Sequence, residues 1–157
     1  MRTLILYFSK YGFTERVANM LADHFEGDVV VERCSKDYSV DLTKFDIVIL
    51  GSPIYVGRPN VALLDFCESY RRLLMSKKLG LFVTGSNKDE ALRSMKESLP
   101  ENLFQHAKER AYFGYALNFE KMSFLDRLAT RIISKKSQSE TRLDAHKMEE
   151  FAHKMEF

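Results

Sequence analysis

Residues 7–21 read YFSKYGFTERVANML, and this stretch decides the fold. Just before and into it, Thr3 to Phe8 is a continuous apolar run of strand length. From Glu15 to Phe25 the apolar positions Val17, Ala18, Leu21, Ala22 and Phe25 recur at helical spacing. Between strand and helix lie Ser9, Gly12 and Thr14, so backbone N–H groups from Lys10 to Thr14 can converge on one point. A helix N-terminus carries partial positive charge and unsatisfied donors, which suits an anion such as a phosphate. Ser9 and Thr14 would add hydroxyl donors. The same residues also suit a helix capped by Thr14 without any ligand.

Outward from this unit, strand and helix alternate. Val29 to Glu32 reads as a β-branched strand, and Asp46 to Leu50 as a buried strand ended by Gly51. Asn60 to Leu74 reads as a helix, Leu79 to Thr84 as a fourth strand, and Lys88 to Leu99 as a helix halted before Pro100. Arg110 to Leu117 is the fifth strand, and an amphipathic helix begins near Asp144, with Met148, Phe151, Ala152 and Met155 on one face. Strands buried on both faces and separated by helices imply a parallel sheet with helices on either side. The 157 residues fit one domain, residues 1–157, without repeat or linker.

Composition excludes several classes. A formal charge of +2 is too mild to argue for nucleic acid, and no basic run is interleaved with aromatics. The N-terminal apolar run is too short for a secretory signal, and no run reaches membrane-spanning length, so a cytoplasmic protein is expected. Cys34 and Cys67 match no zinc or redox spacing, and no metal site is expected. His24, His106, His146 and His153 fall on helical or connecting segments away from the loops that follow the strands.

In parallel sheets ligands bind beyond the carboxyl ends of the strands, where strand order reverses. The loops after the first, third and fourth strands are therefore the candidate site. The second of them, GSPIYVGRPN over residues 51–60, holds Gly51 and Gly57 for close backbone approach and Pro53 to stiffen the turn. The third, residues 84–87 (TGSN), equally suits a cap for the helix starting at Lys88.

Ile5, Leu6, Tyr7, Ser9, Gly12, Thr14, Ala18 and Leu21 together resemble the flavodoxin signature. The loop lacks the Gly-Lys-Ser/Thr ending of nucleotide triphosphate loops and the GxGxxG of dinucleotide folds. The resemblance implies an α/β three-layer sandwich, in which a five-stranded parallel sheet of order 2-1-3-4-5 carries helices on both faces. It also implies FMN, with its phosphate held by Ser9, Lys10, Tyr11, Gly12, Phe13 and Thr14. The ring would lie on Ser52, Pro53, Ile54, Tyr55, Val56 and Gly57, with Tyr55 offering a flat face. Thr84, Gly85, Ser86 and Asn87 would meet its other side.

The C-terminal part is similar to the menaquinone-dependent protoporphyrinogen oxidases of flavodoxin type. The matching residues are Leu125-Asp126-Arg127, Thr141-Arg142 and Phe151-Ala152. Leu125 stands where that group has an aromatic, and KDEALRSMKESL stands where it has a longer basic segment. This likeness implies an FMN-dependent oxidoreductase that takes hydride equivalents from an organic substrate, protoporphyrinogen, and passes electrons to a quinone. No side chain is singled out as catalytic, because the flavin carries the chemistry. Lys10 and Arg58 place positive charge near the ring, which stabilises an anionic reduced flavin and raises its potential.

Lys121 to Lys136 has an apolar stripe of Phe124, Leu125, Leu128, Ile132 and Ile133 beside five cations. Such a helix suits peripheral contact with the inner face of an anionic membrane, where a quinone dissolves, or packing on its own domain. The alternatives to the enzyme are a flavodoxin-type electron carrier between redox proteins and a module without cofactor. Nothing in the sequence fixes an oligomeric state.

Overall fold

The computed structural model describes residues 1–9, 12–117 and 140–157. Its central sheet is ordered β2-β1-β3-β5-β6, where β1 is Arg2–Tyr7, β2 Asp28–Arg33, β3 Ile47–Tyr55, β5 Lys78–Thr84 and β6 Glu109–Tyr112. All four pairings along this path are parallel. A two-residue strand, β4 (Arg58–Pro59), folds back antiparallel on the end of β3. Counted without β4, the strand order is the expected one.

Alternation along the strands makes two cores. Leu4, Leu6, Val48, Leu50, Leu79, Leu81 and Val83 share one face with Leu63, Phe66 and Cys67 of α2 (Val61–Ser69) and Ala91 and Met95 of α4 (Lys88–Ser98). Ile5, Tyr7, Ile47, Ile49 and Phe82 point the other way. They meet Val17, Ala18 and Leu21 of α1 (Phe13–Ala22) and Met148, Phe151, Ala152 and Met155 of α6 (Ala145–Glu156). Residues i and i+2 of a strand share a face, so each helix stripe meets every second side chain.

Four elements differ from the sequence reading. β3 does not end at Gly51 but runs on to Tyr55, because Gly51 pairs with both Tyr7 and Phe82 and the ladder continues. The helix expected over residues 60–74 breaks into α2 and a short α3 (Arg71–Leu74) at Tyr70, whose φ of −109° and ψ of 12° are not helical. Tyr70 is pinned there by stacking on Phe66 at 4.4 Å and by accepting the Val40 N–H at 3.2 Å. The expected fifth strand is two strands. After Tyr112, Gly114 takes φ 108° and turns the chain out of the sheet. Gly114–Leu117 (β7) then pairs antiparallel with Glu140–Leu143 (β8). A further helix, α5 (Glu101–His106), follows Pro100.

Burial pushes the Cys34 thiol up to about 11 and the Cys67 thiol up to about 12 from an ordinary 9.0. Below pH 9 both thiols are protonated folded or unfolded and contribute no pH dependence. Between about 9 and 11 the unfolded chain releases protons that the folded one keeps, so stability falls as pH rises. Urea midpoints at about pH 8 and about pH 10.5 should show this fall, and Cys67→Ala should reduce it.

Candidate functional site

The three loops meet at the carboxyl edge of the sheet. Phe8 N–H donates to the Gly51 carbonyl at 2.9 Å, which carries the β1 direction alongside β3 up to buried Ser9. Ser9 Oγ accepts the Gly12 N–H at 2.8 Å and keeps its own proton to donate. Gly12 is the N-cap of α1 at φ 86°, a left-handed angle for which glycine is suited, and no side chain caps the helix. Thr14 therefore does not cap α1. It lies on the helix, 2% exposed, with its Oγ1 3.1 Å from Thr84 Oγ1. That bond joins the first loop to the third. A helix's first-turn N–H groups, here of Phe13 and Thr14, have no partner within the helix. Lys10 and Tyr11 lie outside the described residues.

The second loop is a hairpin. Ile54 pairs with Pro59 and Tyr55 with Arg58, which leaves Val56 and Gly57 as the turn. Ser52, fully buried, donates to the Pro53 carbonyl at 2.9 Å and accepts the Asn60 N–H at 3.0 Å. Asn60 in turn caps α2 through the Ala62 N–H at 2.8 Å. Tyr55 is half-buried, while Val56 is 50% exposed at the tip.

The third loop sits against the second. Pro53 pairs with Thr84, and a Cβ built on Gly85 would lie 3.4 Å from the Ile54 carbonyl oxygen. Both backbone groups of Gly85 are committed: its N–H donates to the Gly114 carbonyl at 3.0 Å, and its carbonyl accepts from the Tyr112 hydroxyl. Asn87 caps α4 by accepting the Glu90 N–H at 2.9 Å, so the capping role is realised. Ser86 is half-buried between them.

Charge at this edge is mixed: Glu90 lies behind Gly57, and Asp89 shares the first turn of α4 with it. Arg58 is exposed beside the hairpin tip. Lys88, at the head of α4, lies close to Lys147 and pushes its pKa down, an effect that Asp144 partly opposes from 4.0 Å.

Sequence reasoning did not single out Ser94, which donates to the Gly57 carbonyl at 2.9 Å. Its signal was a hydroxyl within the buried stripe Ala91, Ser94 and Met95. The histidines lie elsewhere: His106 is 2.8 Å from the Lys77 carbonyl, at the opposite end of β5, and His24, His146 and His153 are exposed. Among the described residues, no group of three His, Cys, Asp or Glu side chains could hold a metal ion, and no helix is long and apolar enough to cross a membrane.

The residues of the first loop fit a phosphate-bearing ligand such as FMN. A Cβ built on Gly12 meets nothing within 4 Å, so the exposed turn borders open space, with the Ser9 hydroxyl and the first turn of α1 next to it in the chain. A phosphate needs several such donors, and Glu15, the one acidic residue of the first turn, is exposed.

Comparison with known proteins agrees with this fold. Oxidised flavodoxin 2 from Bacillus cereus is similar at 22% identity and a TM-score of 0.63, over 99% of this chain and 98% of that one. A WrbA-like flavodoxin from Agrobacterium tumefaciens aligns at 19% identity and a TM-score of 0.54, over 99% and 97%. A flavoprotein from Lactobacillus acidophilus, solved in complex with FMN, aligns at 16% identity and a TM-score of 0.51, over 73% and 91%. At these identities the likeness is one of fold. No curated protein sequence matches the chain. The model of the Flavodoxin domain matches residues 4–144, and with nearly the whole fold inside that match the chain belongs to the flavodoxin-domain family.

Proposed function

We propose that the chain holds FMN across its three loops and acts as a redox protein. The observation that carries this reading is the convergence of the loops after β1, β3 and β5, tied by the Thr14–Thr84 bond beside the open space at Gly12. Bound FMN supplies a ring that exchanges electrons and protons. The chain's part is to hold and orient it. The Ser9 hydroxyl and the first-turn amides of α1 bind the phosphate, and Tyr55, Val56 and Gly57 present the hairpin tip to the ring. Arg58, exposed beside the hairpin tip, favours added negative charge at the ring, which suits an electron acceptor.

For the reaction, we propose oxidation of an organic substrate of protoporphyrinogen type, with a quinone as acceptor. The substrate loses two hydrogens per turnover, and the quinone gains two electrons and two protons to become the quinol. Support comes from the C-terminal sequence likeness. Of its residues, Phe151 and Ala152 are core, packed under the sheet, and Thr141 and Arg142 belong to β8. Leu125 to Arg127 and the segment from Lys121 to Lys136, a proposed contact with a membrane surface, lie outside the described residues.

A second reading, an electron carrier between proteins, is favoured by the exposed apolar pair Val56 and Val61, at 50% and 68%, beside the hairpin. Such a surface suits a docked protein partner. The test mixes FMN-loaded protein anaerobically with protoporphyrinogen and a soluble menaquinone analogue, and follows porphyrin fluorescence against a flavin-only control. A catalysed rise is expected. Fluorescence no faster than the control, with flavin bound, would remove the oxidase reading and leave the carrier.

A further inference from the structure

The hairpin after β3 has a backbone that its sequence does not favour. Val56 and Gly57 both take positive φ, 52° and 71°. With Tyr55 paired to Arg58, these are the two central residues of the turn, the pattern of a type I′ hairpin. That turn prefers Asn-Gly, since glycine or asparagine tolerates positive φ, whereas a β-branched residue there is crowded against its own backbone. Val56 is the one non-glycine residue with positive φ among those described. The residue is 50% exposed, so burial of its methyl groups compensates only in part. Such a conformation persists where the surroundings over-determine it.

Two tethers do so. At the base, Ser52 binds both Pro53 and Asn60. At the tip, Ser94 Oγ donates to the Gly57 carbonyl at 2.9 Å, from a side chain only 6% exposed and 37 residues away in sequence. Glu90, one turn earlier on α4, closes the space behind: its Oε1 would lie 3.3 Å from a Cβ on Gly57. A peptide group is planar, so a carbonyl held on one side fixes the following N–H, that of Arg58, on the other. Asn87 caps the helix that carries Ser94, so α4 links the second loop to the third.

We propose that Ser94 is a positioning residue of the flavin site, whose hydroxyl sets the direction of the Gly57 carbonyl and holds the Tyr55–Arg58 turn in one conformation against the ring. The inference rests on the FMN reading above. Oxidised and reduced rings differ in the hydrogen bonds they offer at their edge, so a turn held in one conformation binds the two with different affinity. That difference is the contribution of the protein to the potential. Without Ser94 the Gly57 carbonyl loses its partner, and the strain at Val56 is free to relax.

The test compares Ser94→Ala and Ser94→Thr with the parent. In FMN-free protein, hydrogen exchange at the Gly57 and Arg58 amides should rise about tenfold in Ser94→Ala, the value of one hydrogen bond. In loaded protein, the ratio of dissociation constants for oxidised and reduced FMN should change by about tenfold, or about 30 mV for a two-electron couple. Ser94→Thr, which keeps the hydroxyl, should restore both. Adding Val56→Gly to Ser94→Ala should recover thermal stability without recovering the potential. Parent-like exchange and potential in Ser94→Ala overturn the proposal. So does a threonine variant that folds but matches the alanine one, since packing would then be the cause. If the parent protein fails to bind FMN, the FMN reading falls by that result, and the exchange data alone decide whether Ser94 holds the turn.

Discussion

Gly51→Ala should cost about 3 kcal/mol of folding stability, read as a large drop in the urea midpoint. A Cβ at this position would lie 1.9 Å from Phe82 Cζ and 2.2 Å from its Cε1, deep inside van der Waals contact. The ring has nowhere to go. Phe82 is 1% exposed and tilted against Phe113 at 5.3 Å, which meets Phe151 edge-on at 5.4 Å. Displacing it disturbs the interface between β5, β6 and α6, in a domain class whose whole stability is about 5–15 kcal/mol. A second variant checks the cause. Phe82→Leu added to Gly51→Ala should be more stable than the sum of the single effects, because the shorter side chain vacates the clash. Additive losses would show that the ring is not the obstacle.

Ser9→Ala combined with Thr14→Val should weaken FMN binding by about 100-fold or more, measured by titration of the apoprotein with flavin fluorescence. Each hydroxyl that bonds a phosphate contributes about 1.5–3 kcal/mol, and about 1.4 kcal/mol is tenfold in affinity. Thr14 also holds Thr84, so part of its effect is structural. Thr84→Val separates the two roles: it removes the 3.1 Å bond yet leaves the Thr14 hydroxyl in place, and should cost stability with a much smaller loss of FMN. Unchanged affinity in the double variant would remove Ser9 and Thr14 from the phosphate site.

Much of this architecture is legible in the sequence because its signals are local. The apolar run into Phe8, the helical spacing from Val17 to Phe25 and the stripe from Met148 to Met155 are set by burial on one side of an element, and burial leaves a period. Glycine misled the reading of β3. Gly51 looks like a stop, but it is there to admit the Phe82 ring, a partner 31 positions away that no window reveals. Tyr70 breaks a helix for an equally distant reason, its bond to Val40. At the candidate site, the turn into α1 is legible from Ser9, Gly12 and Thr14, since a turn and a helix start constrain residue type. The tethers are not: Ser94 on Gly57 and Tyr112 on Gly85 join segments that meet only in the fold.

The C-terminal helix has a consequence for synthesis. Phe151 and Met155 press on Gly80, with Phe151 Cζ 2.8 Å from a Cβ built there, and Glu156 accepts the Glu26 N–H at 2.7 Å just beyond α1. Val17, Ala18 and Leu21, which seat α1 after the first loop, share their core with these residues. One side of the sheet is therefore closed by a helix that is translated long after α1. While residues 145–156 remain in the ribosomal tunnel, α1 lacks half of its packing and the nascent chain keeps an apolar face uncovered. Cofactor loading should then await the emergence of residues 145–156, and a ribosome-stalled chain in which they are still unexposed should bind chaperone before it binds flavin.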